Sequence, residues 1–473
     1  MAMDEDVPTY RRNFSTTLAL DGKHSGRAAG DLKPRVMPAD EVFGESDEPL
    51  LTPGASIHVL PVDKGSFVKY VFFLLGIVTL VPSLYPMTAS DYWMYKFRNA
   101  TTGPWVDPSA KTTLQTNFFA AYGVFTSLPA LATICVTMAF NHRVQQKLRN
   151  IISLCIVIVL FVVLTVFVKM DTDNWQYGYF LFVMCTIIVL NVFATWFQGG
   201  VVGLASLLPQ QYMHSCVIGM AAGGLLASII QIFAIAWHPK PVVSGLIYFS
   251  CAIALLLLGL LGFLAIQRVE FFRYYLVNPA ESIQNIITYD DLGIDVSVLV
   301  LFRRVWREAI SVMVIFIVTQ CIFPPLAVLV VSKDVDSGAS WSGRLFTPVC
   351  CYFLFNAGDV AGRLASSFAP LGQGKDNLLL LLSISRFIFV PLFLLCNTMP
   401  RSHLPVLFND TSFIVLMTAF AFSNGYLFSS AMAQAPKKME SYLQEKTGSM
   451  MTMFLFGGLA IGALFSVVVV KVL

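Results

Sequence analysis

Long apolar runs alternate with short polar loops along most of this chain. A helix needs about 20 apolar residues to cross the hydrocarbon core of a membrane, where lipid offers no partner to unpaired backbone groups. The pattern therefore predicts about eleven membrane-spanning helices, at 67–89, 114–139, 150–170, 178–206, 213–237, 243–266, 308–331, 345–369, 376–397, 411–433 and 448–471. Prolines interrupt several spans, as in LVPSLYP at 80–86 and IFPPLA at 322–327. Such breaks are typical of places where a membrane helix bends.

One long connection divides the predicted spans into six and five. We therefore expect an all-α integral membrane protein with a six-helix bundle at 66–266, a cytosolic connecting loop at 267–307 and a five-helix bundle at 308–473. Internal repeats diverge strongly in proteins of this kind, so the lack of a visible repeat does not argue against two bundles. The polar residues 1–65 are predicted to form a disordered cytosolic tail.

Basic loops predict the orientation in the membrane. Lys and Arg concentrate beside the even-numbered connections, at 141–150, 267–275, 302–307 and 435–448. The opposite loop at 171–178 holds acids and no Lys or Arg. The N-terminus is therefore predicted to be cytosolic and the C-terminus luminal or extracellular. Asn99, in the sequence NAT, falls in the first non-cytosolic loop and is a predicted glycan site.

Composition supports a membrane protein. The 473 residues are 56% hydrophobic and 12% charged, with a mean hydropathy of +0.70, whereas soluble domains are about a quarter charged. A net charge of +3 indicates no nucleic-acid partner. The nine cysteines lie in or beside apolar runs and the six histidines are scattered. We expect neither a disulfide framework, nor a metal, nor a cofactor, and membrane lipids are the expected surroundings.

Two opposite charges stand inside the eighth span, in FNAGDVAGRLAS at 355–366. Asp359 and Arg363 are four residues apart and share a helix face. Charges at membrane depth are costly and usually face an aqueous cavity or a binding site. A guanidinium presents donors in a fixed plane that suits adjacent hydroxyls, and the carboxylate would hold it in place. The alternative is a structural ion pair between close helices, favoured by Gly358 and Gly362.

Other polar groups in the spans have two interpretations each. The amide of Gln198 could read the edge of a heterocycle or could form a hydrogen bond between helices. Three residues could be ordinary interfacial groups or could close a cytosolic gate by pairing: Arg143, Asn356 and Glu445. Ser423 and Asn424 in the tenth span are predicted to pack helices.

At this point the chain resembles a known family. Five segments are similar to signature segments of the equilibrative nucleoside transporters: FNAGDVAGRLAS, FQGGVVGLASLLP at 197–209, RVEFFRYY at 268–275, SRFIFVPLFLLCN at 385–397 and AFAFSNGYL at 419–427. The similarity extends from about residue 67 to the C-terminus. DYWMYKFRNAT at 91–101 and VKMDTDNW at 168–175 are most similar to the lysosomal, type-three member.

The resemblance implies a major-facilitator-like arrangement of pseudo-symmetric bundles around a central cavity. It implies facilitated diffusion of nucleosides such as adenosine and uridine, and in some members of nucleobases, by alternating access, and leaves any influence of pH open. By position, Asp359 and Arg363 would bind the ribose and Gln198 the base. Apolar walls, including Leu80 and Met87, would cover the ring faces. The resemblance also assigns gating positions: Met87 and Pro324 on the outer side, and Arg143, Asn356 and Glu445 on the cytosolic side.

The first span departs from the family's pattern. Family members usually carry Pro-Trp-Asn followed by two aromatic residues, whereas this chain has PSLYPMTA at 82–89. Ser83 and Leu84 replace the Trp and the Asn. The lost indole removes an apolar wall and the lost amide removes a possible gate contact. We therefore expect differences in base-side fit, transport rate or conformational bias.

A sorting signal is predicted in the N-terminal tail. Asp47, Glu48, Leu50 and Leu51 resemble an acidic dileucine signal, which a clathrin adaptor would bind, although such strings also occur by chance. The first expected location is the late endosome or lysosome membrane, and the second is the plasma membrane. Two rival functions stay open: a transporter of another hydroxylated solute such as a sugar, or a polytopic receptor. The residue pattern contains no catalytic constellation, so an enzyme is not expected.

Overall fold

A computed structural model of the protein describes residues 63–100, 111–140, 146–238, 240–277, 298–334, 341–371, 374–399, 405–439 and 443–472. The described chain is helical apart from turns, irregular loops and an isolated bridge between Val330 and Thr398. Ten described helices are long and apolar enough to cross a membrane. The predicted sorting signal and Arg143 lie outside the described residues.

Eleven described helices follow the predicted order, and all of them except the eighth belong to the ten that are long and apolar enough to cross a membrane. Their bounds are α1 Phe67–Thr88, α2 Thr113–Phe140, α3 Gln146–Lys169, α4 Gln176–Ser206, α5 Gln210–Trp237, α6 Pro241–Ile266, α7 Val298–Ile322, α8 Leu354–Phe368, α9 Asp376–Ser385, α10 Asp410–Lys437 and α11 Gln444–Val472. The wide π-helical turn Thr347–Phe353 leads into α8, and together they form the predicted eighth span. A tight turn at Arg386–Ile388 and the short helix Phe389–Leu394 extend α9.

The connection between the sixth and seventh spans differs from the predicted loop at 267–307. It contains a short helix at Glu270–Val277, and α7 begins at Val298 instead of near residue 308. The basic segment FRRVWR therefore belongs to the helix. Hydropathy marks where a helix becomes apolar, whereas backbone hydrogen bonds continue past that point, so the predicted loop was too long.

The helices pack as two groups. In the first, α1 packs against α4, α5 and α6, while α3 packs against α4 and α6. In the second, α7 packs against α9, α10 and α11, while α8 packs against α10. The groups meet along two seams, one between α2 and α11 and the other between α5 and α8. This is the predicted arrangement of six helices and five helices.

Several loops gather at one end of the protein, which we call the capped end. Arg98, after α1, forms an ion pair of 2.8 Å with Asp173, which precedes α4. Arg344, before α8, forms an ion pair of 2.6 Å with Asp91, which follows α1. The second pair joins the two helix groups, whereas the first lies within one group.

The other ends of the described helices lie together at the opposite end of the protein. Lys438, after α10, donates to Glu308 of α7 and to Asp376 of α9. Tyr212, near the start of α5, donates to Asp63 before α1 at 3.1 Å. By the pattern of basic loops this opposite end is the predicted cytosolic side, and that orientation stays a prediction.

Glycines bring α8 and α10 into close contact. A Cβ added at Gly425 of α10 would overlap the backbone carbonyl of Asp359, and one added at Gly362 would overlap the carbonyl of Phe422. Small residues at such crossings let two membrane helices approach closely. This crossing fixes the backbone that carries Asp359 and Arg363.

Candidate functional site

The two charges of α8 form an ion pair. Arg363 Nε donates to Asp359 Oδ2 at 2.7 Å, and the guanidinium lies 4.9 Å from the centre of the Phe428 ring. The side chain of Arg363 is 31% exposed and that of Asp359 is 13% exposed. Among the described residues, the two terminal nitrogens of Arg363 donate to no acceptor. The guanidinium is therefore held along one edge and keeps its outer donors available to a ligand.

The second oxygen of Asp359 binds a residue of α10. Asn424 Nδ2 donates to Asp359 Oδ1 at 2.7 Å, and Asn424 Oδ1 accepts from Arg386 Nη1 at 3.1 Å. Thr319 Oγ1 of α7 lies 2.7 Å from the same amide oxygen. The carboxylate thus has a partner on each oxygen, one from its own helix and one from the neighbouring helix.

Sequence reasoning missed the partnership of Asn424 and Arg386. Asn424 was predicted to pack helices, and Arg386 drew no separate interpretation. The available signal was the position of Arg386 inside an apolar run, since a charge at membrane depth calls for a partner. Its particular partner depends on how α9 and α10 pack, which spacing along one helix does not reveal.

Asn356 joins the two helix groups. Its Nδ2 donates to Ser228 Oγ of α5 at 3.0 Å, and Gly224 of α5 packs against its amide oxygen. The loops before α8 lie at the capped end, so Asn356 is one turn nearer that end than Asp359. Glu445 lies in the first turn of α11 at the opposite end, with its side chain outside the described residues. A shared cytosolic gate of these residues with Arg143 stays a prediction.

The departing residues of the first span contact other helices of the first group. Ser83 Oγ donates to Asn191 Oδ1 of α4 at 2.9 Å, so the serine hydroxyl takes an interhelical role. Leu84 packs against Gly224 of α5, the same glycine that contacts Asn356. One layer of contacts therefore links α4, α1, α5 and α8.

This layer sets the depth of the predicted binding residues. Gln198 lies two turns after Asn191 on the same face of α4, and Arg363 lies two turns after Asn356 on the same face of α8. Both helices run from the capped end to the opposite end. Gln198 and Arg363 are therefore at similar depth, each about 10 Å beyond the layer. Gln198 is half-buried and forms no hydrogen bond to another residue in the described ranges.

The predicted outer gate lies on the capped side of this layer. Tyr352 OH donates to the backbone oxygen of Met87 at 2.9 Å, and its ring packs edge-on at 5.6 Å against Phe323. Phe323 precedes the buried Pro324. Tyr352 thus links Met87 to the segment containing Pro324. Leu80, the other predicted wall residue, is half-buried about two helix turns before Met87 in α1.

The predicted glycan position and the thiols are also placed. Asn99 is exposed in the loop after α1, at the capped end. The nine cysteines, all within the described residues, form no disulfide. The described residues contain no group of three or more His, Cys, Asp or Glu side chains that could hold a metal ion.

Comparisons with known proteins agree with this architecture. The family model described as "Nucleoside transporter" matches residues 184–290 and 281–471. Equilibrative nucleoside transporter 1 of Homo sapiens is 32% identical over 448 residues, covering 86% of this chain and 97% of the relative. Transporter 2 of Homo sapiens is 29% identical over 454 residues, with coverages of 86% and 97%. Transporter 3 of Rattus norvegicus is 28% identical over 423 residues, with coverages of 85% and 88%.

Solved structures with low sequence identity share the fold. A crystal structure of a mutant of the nucleoside transporter NupG has a TM-score of 0.50 and 14% identity, covering 85% of this chain and 91% of that chain. A POT family transporter in complex with a thioalcohol-conjugated peptide has a TM-score of 0.52 and 12% identity, with coverages of 85% and 94%. The predicted major-facilitator-like fold is confirmed.

Proposed function

Because the chain belongs to the equilibrative nucleoside transporter family, we propose that it carries nucleosides such as adenosine and uridine across a membrane by facilitated diffusion. The observation that carries this proposal is the state of Arg363. Its guanidinium is held by Asp359 along one edge, is partly exposed, and keeps two outer nitrogens without a described acceptor. A charge so arranged in a membrane helix suits a polar ligand.

The proposed chemistry replaces the water that a nucleoside loses. Each ribose hydroxyl would be left without hydrogen bonds in hydrocarbon, at a cost of roughly 2–7 kcal/mol by transfer measurements. The outer nitrogens of Arg363 would donate to the two neighbouring ribose oxygens while Asp359 keeps the guanidinium plane fixed. Gln198, at a similar depth in the other helix group, would pair with the base edge. Leu80, on the same side of the layer as Gln198, would cover a ring face, whereas Met87 lies on the capped side of the layer and keeps only its proposed gating role.

Alternating access would come from movement along the two seams. The contacts of Met87 with Tyr352 and of Asp91 with Arg344 join the helix groups at the capped end. They support a state in which the site is closed toward that end. Rocking of one bundle against the other would break these contacts and form others at the opposite end. Arg143 and Glu445 remain the proposed residues for closure there, and Pro324 for the outer side, whereas Asn356 lies on the capped side of Arg363 and binds Ser228.

A competition assay tests the substrate class. Purified protein in liposomes should take up radiolabelled uridine, and excess adenosine should suppress that uptake while excess glucose should not. Suppression by glucose would favour the alternative of a transporter for hydroxylated solutes in general, because an arginine fork binds any pair of adjacent hydroxyls. Absence of uridine uptake would contradict the proposal. The same assay with and without a pH gradient measures proton coupling.

We also propose a late endosomal or lysosomal location, with the plasma membrane second. One support is the acidic dileucine string at Asp47, Glu48, Leu50 and Leu51, which resembles the signals that clathrin adaptors bind. The other is Asn99, which is exposed and lies in a sequence that can accept a glycan. Microscopy of the double variant Leu50→Ala/Leu51→Ala should show redistribution to the cell surface. An unchanged distribution would remove the argument. Glycosidase treatment should increase gel mobility of the wild type but not of Asn99→Gln.

A further inference from the structure

We propose that Asn424 and Arg386 are positioning residues for the ribose site. They hold Asp359 in one orientation, which leaves Arg363 with both outer nitrogens free for ligand. This inference rests on the proposed function. It adds one residue from α10, Asn424, and one from the tight turn that follows α9, Arg386. Three observations carry it: the orientation of an amide, the burial of a second cation, and the route of the network through the bundle.

The amide of Asn424 has a defined orientation. Its oxygen accepts from Arg386 Nη1 at 3.1 Å and lies 2.7 Å from the hydroxyl of Thr319. Arg386 carries only donors, so the atom that faces it must be the amide oxygen. The amide nitrogen therefore faces Asp359 and donates to Oδ1 at 2.7 Å. Reversal of the amide would place two donors together and two acceptors together.

Arg386 is a second cation near the same carboxylate. It is 2% exposed, and its guanidinium lies 4.8 Å from the centre of the Phe420 ring. It donates to the backbone oxygens of Ile315 and Phe420 at 3.2 and 3.3 Å. Within the described chain it forms no ion pair, so Asp359, one amide away, supplies the neighbouring negative charge.

Two cations therefore share one carboxylate. Arg386 acts on it through Asn424, and Arg363 binds it directly through Nε alone. A carboxylate and a guanidinium usually prefer two parallel hydrogen bonds, which would use an outer nitrogen of the arginine. Because Asn424 occupies Oδ1, Asp359 is held in the single-bonded geometry. Arg363 thus keeps its outer donors for a sugar.

The network also fixes the site to one bundle. It passes from Asp359 of α8 to Asn424 of α10, and then to Thr319 of α7 and Arg386 after α9. Gly425, beside Asn424, brings the two helix backbones together at the level of Asp359. The ribose site would therefore move as one body with the five-helix bundle.

The inference predicts a selective loss in Asn424→Ala. Without the amide, Asp359 Oδ1 loses its partner and the carboxylate can bind two nitrogens of Arg363. Hydrogen bonding to the ribose would then weaken, whereas binding of the base would persist. In proteoliposomes, kcat/KM for uridine should fall about tenfold, the worth of one charge-assisted hydrogen bond. For 2′,3′-dideoxyuridine, which lacks both hydroxyls, it should change by less than about twofold.

Three further variants make the test decisive. Thr418→Ala is the matched control on α10, because the Thr418 hydroxyl bonds to the Ile414 oxygen of its own helix at 2.8 Å and neither residue belongs to the network of Asn424 and Arg386. It should leave the ratio of kcat/KM for uridine to kcat/KM for 2′,3′-dideoxyuridine unchanged. Arg363→Ala gives the ratio expected when ribose recognition is lost. Arg386→Lys lacks the planar guanidinium and should shift the ratio of kcat/KM in the same direction as Asn424→Ala. It replaces Asn424→Ala in the test if that variant is not produced as folded protein.

The outcomes separate this inference from the proposed function. If kcat/KM falls equally for uridine and 2′,3′-dideoxyuridine in Asn424→Ala and Arg386→Lys, their ratio is unchanged. When Arg363→Ala still loses discrimination between the two substrates, that result overturns the positioning role and leaves the proposed function standing. If Arg363→Ala keeps the wild-type ratio, the ribose role of Arg363 itself fails. A shift of the ratio toward that of Arg363→Ala, with the ratio of Thr418→Ala unchanged, supports the inference.

Discussion

At the scale of residues, the carboxylate of Asp359 is held by Arg363 of its own helix and by Asn424 of α10. The separation of Asp359 and Arg363 predicted a shared face, and the structure contains their ion pair. Asn424 binds the same carboxylate from another helix, so no spacing rule within α8 could indicate it. Gln198 was assigned from residue type and family position, and its reading of the base stays a prediction.

Gln198→Ala is expected to change base preference more than total transport. The amide supplies both a donor and an acceptor, so its removal should weaken bases unequally, by about 3- to 10-fold for the most affected base. Uptake of uridine, cytidine, adenosine and inosine by purified protein measures the preference. Asn117→Ala is a control, because that amide bonds to its own helix at the Thr113 oxygen. Equal losses for all four nucleosides would argue against base reading.

At the scale of elements, the apolar pattern located the spans but misplaced some ends. It placed the start of the seventh span near 308, whereas α7 begins at Val298 with a basic first part. The eighth predicted span is not among the ten described helices that are long and apolar enough to cross a membrane, since a π-helical turn precedes α8 and α8 itself carries Asp359 and Arg363. The π-helical turn before α8, Thr347–Phe353, was not predicted, since a wider backbone hydrogen-bond pattern has no clear hydropathy signal.

The crossing of α8 and α10 predicts a stability effect. Gly425→Ala would place a Cβ against the backbone oxygen of Asp359, and neither backbone can move without displacing the other helix. We expect a loss of roughly 1–3 kcal/mol in stability, the usual cost of overpacking. Thermal unfolding of purified protein, followed by size-exclusion chromatography, measures it. Gly457→Ala on α11, where a Cβ meets nothing within 4 Å, should unfold at the wild-type temperature. Equal midpoints for the two variants would contradict this packing argument.

At the scale of the whole molecule, the division into six and five helices could be predicted, but the seams could not. The long connection separated the bundles, and the structure shows α2 against α11 and α5 against α8. Such seams depend on which helix faces are complementary, and nearly all faces here are apolar. The ion pair of Asp91 with Arg344, which joins distant loops, had no signal in the sequence.

Asp91→Asn should loosen the capped end. The lost ion pair is partly exposed and is worth about 1 kcal/mol, so the state open at that end should become about fivefold more populated. A cysteine introduced by Met87→Cys reports it through its rate of reaction with a membrane-impermeant thiol reagent added on the capped side. Asp173→Asn removes an ion pair within one bundle and should leave the rate unchanged. A rate that rises equally in both variants, or in neither, would contradict a closing role for the Asp91 pair.

The central claim is that the outer donors of Arg363 replace water around a ribose. Its most direct test is uridine uptake by Arg363→Ala, purified and placed in liposomes at the same amount as the wild type. We expect uptake to fall at least tenfold, by about 1.5–3 kcal/mol for each lost charge-assisted hydrogen bond, while thermal stability and yield stay close to wild type. Full uptake by the folded variant would contradict the claim, and failure of the variant to fold would show that the pair is structural instead.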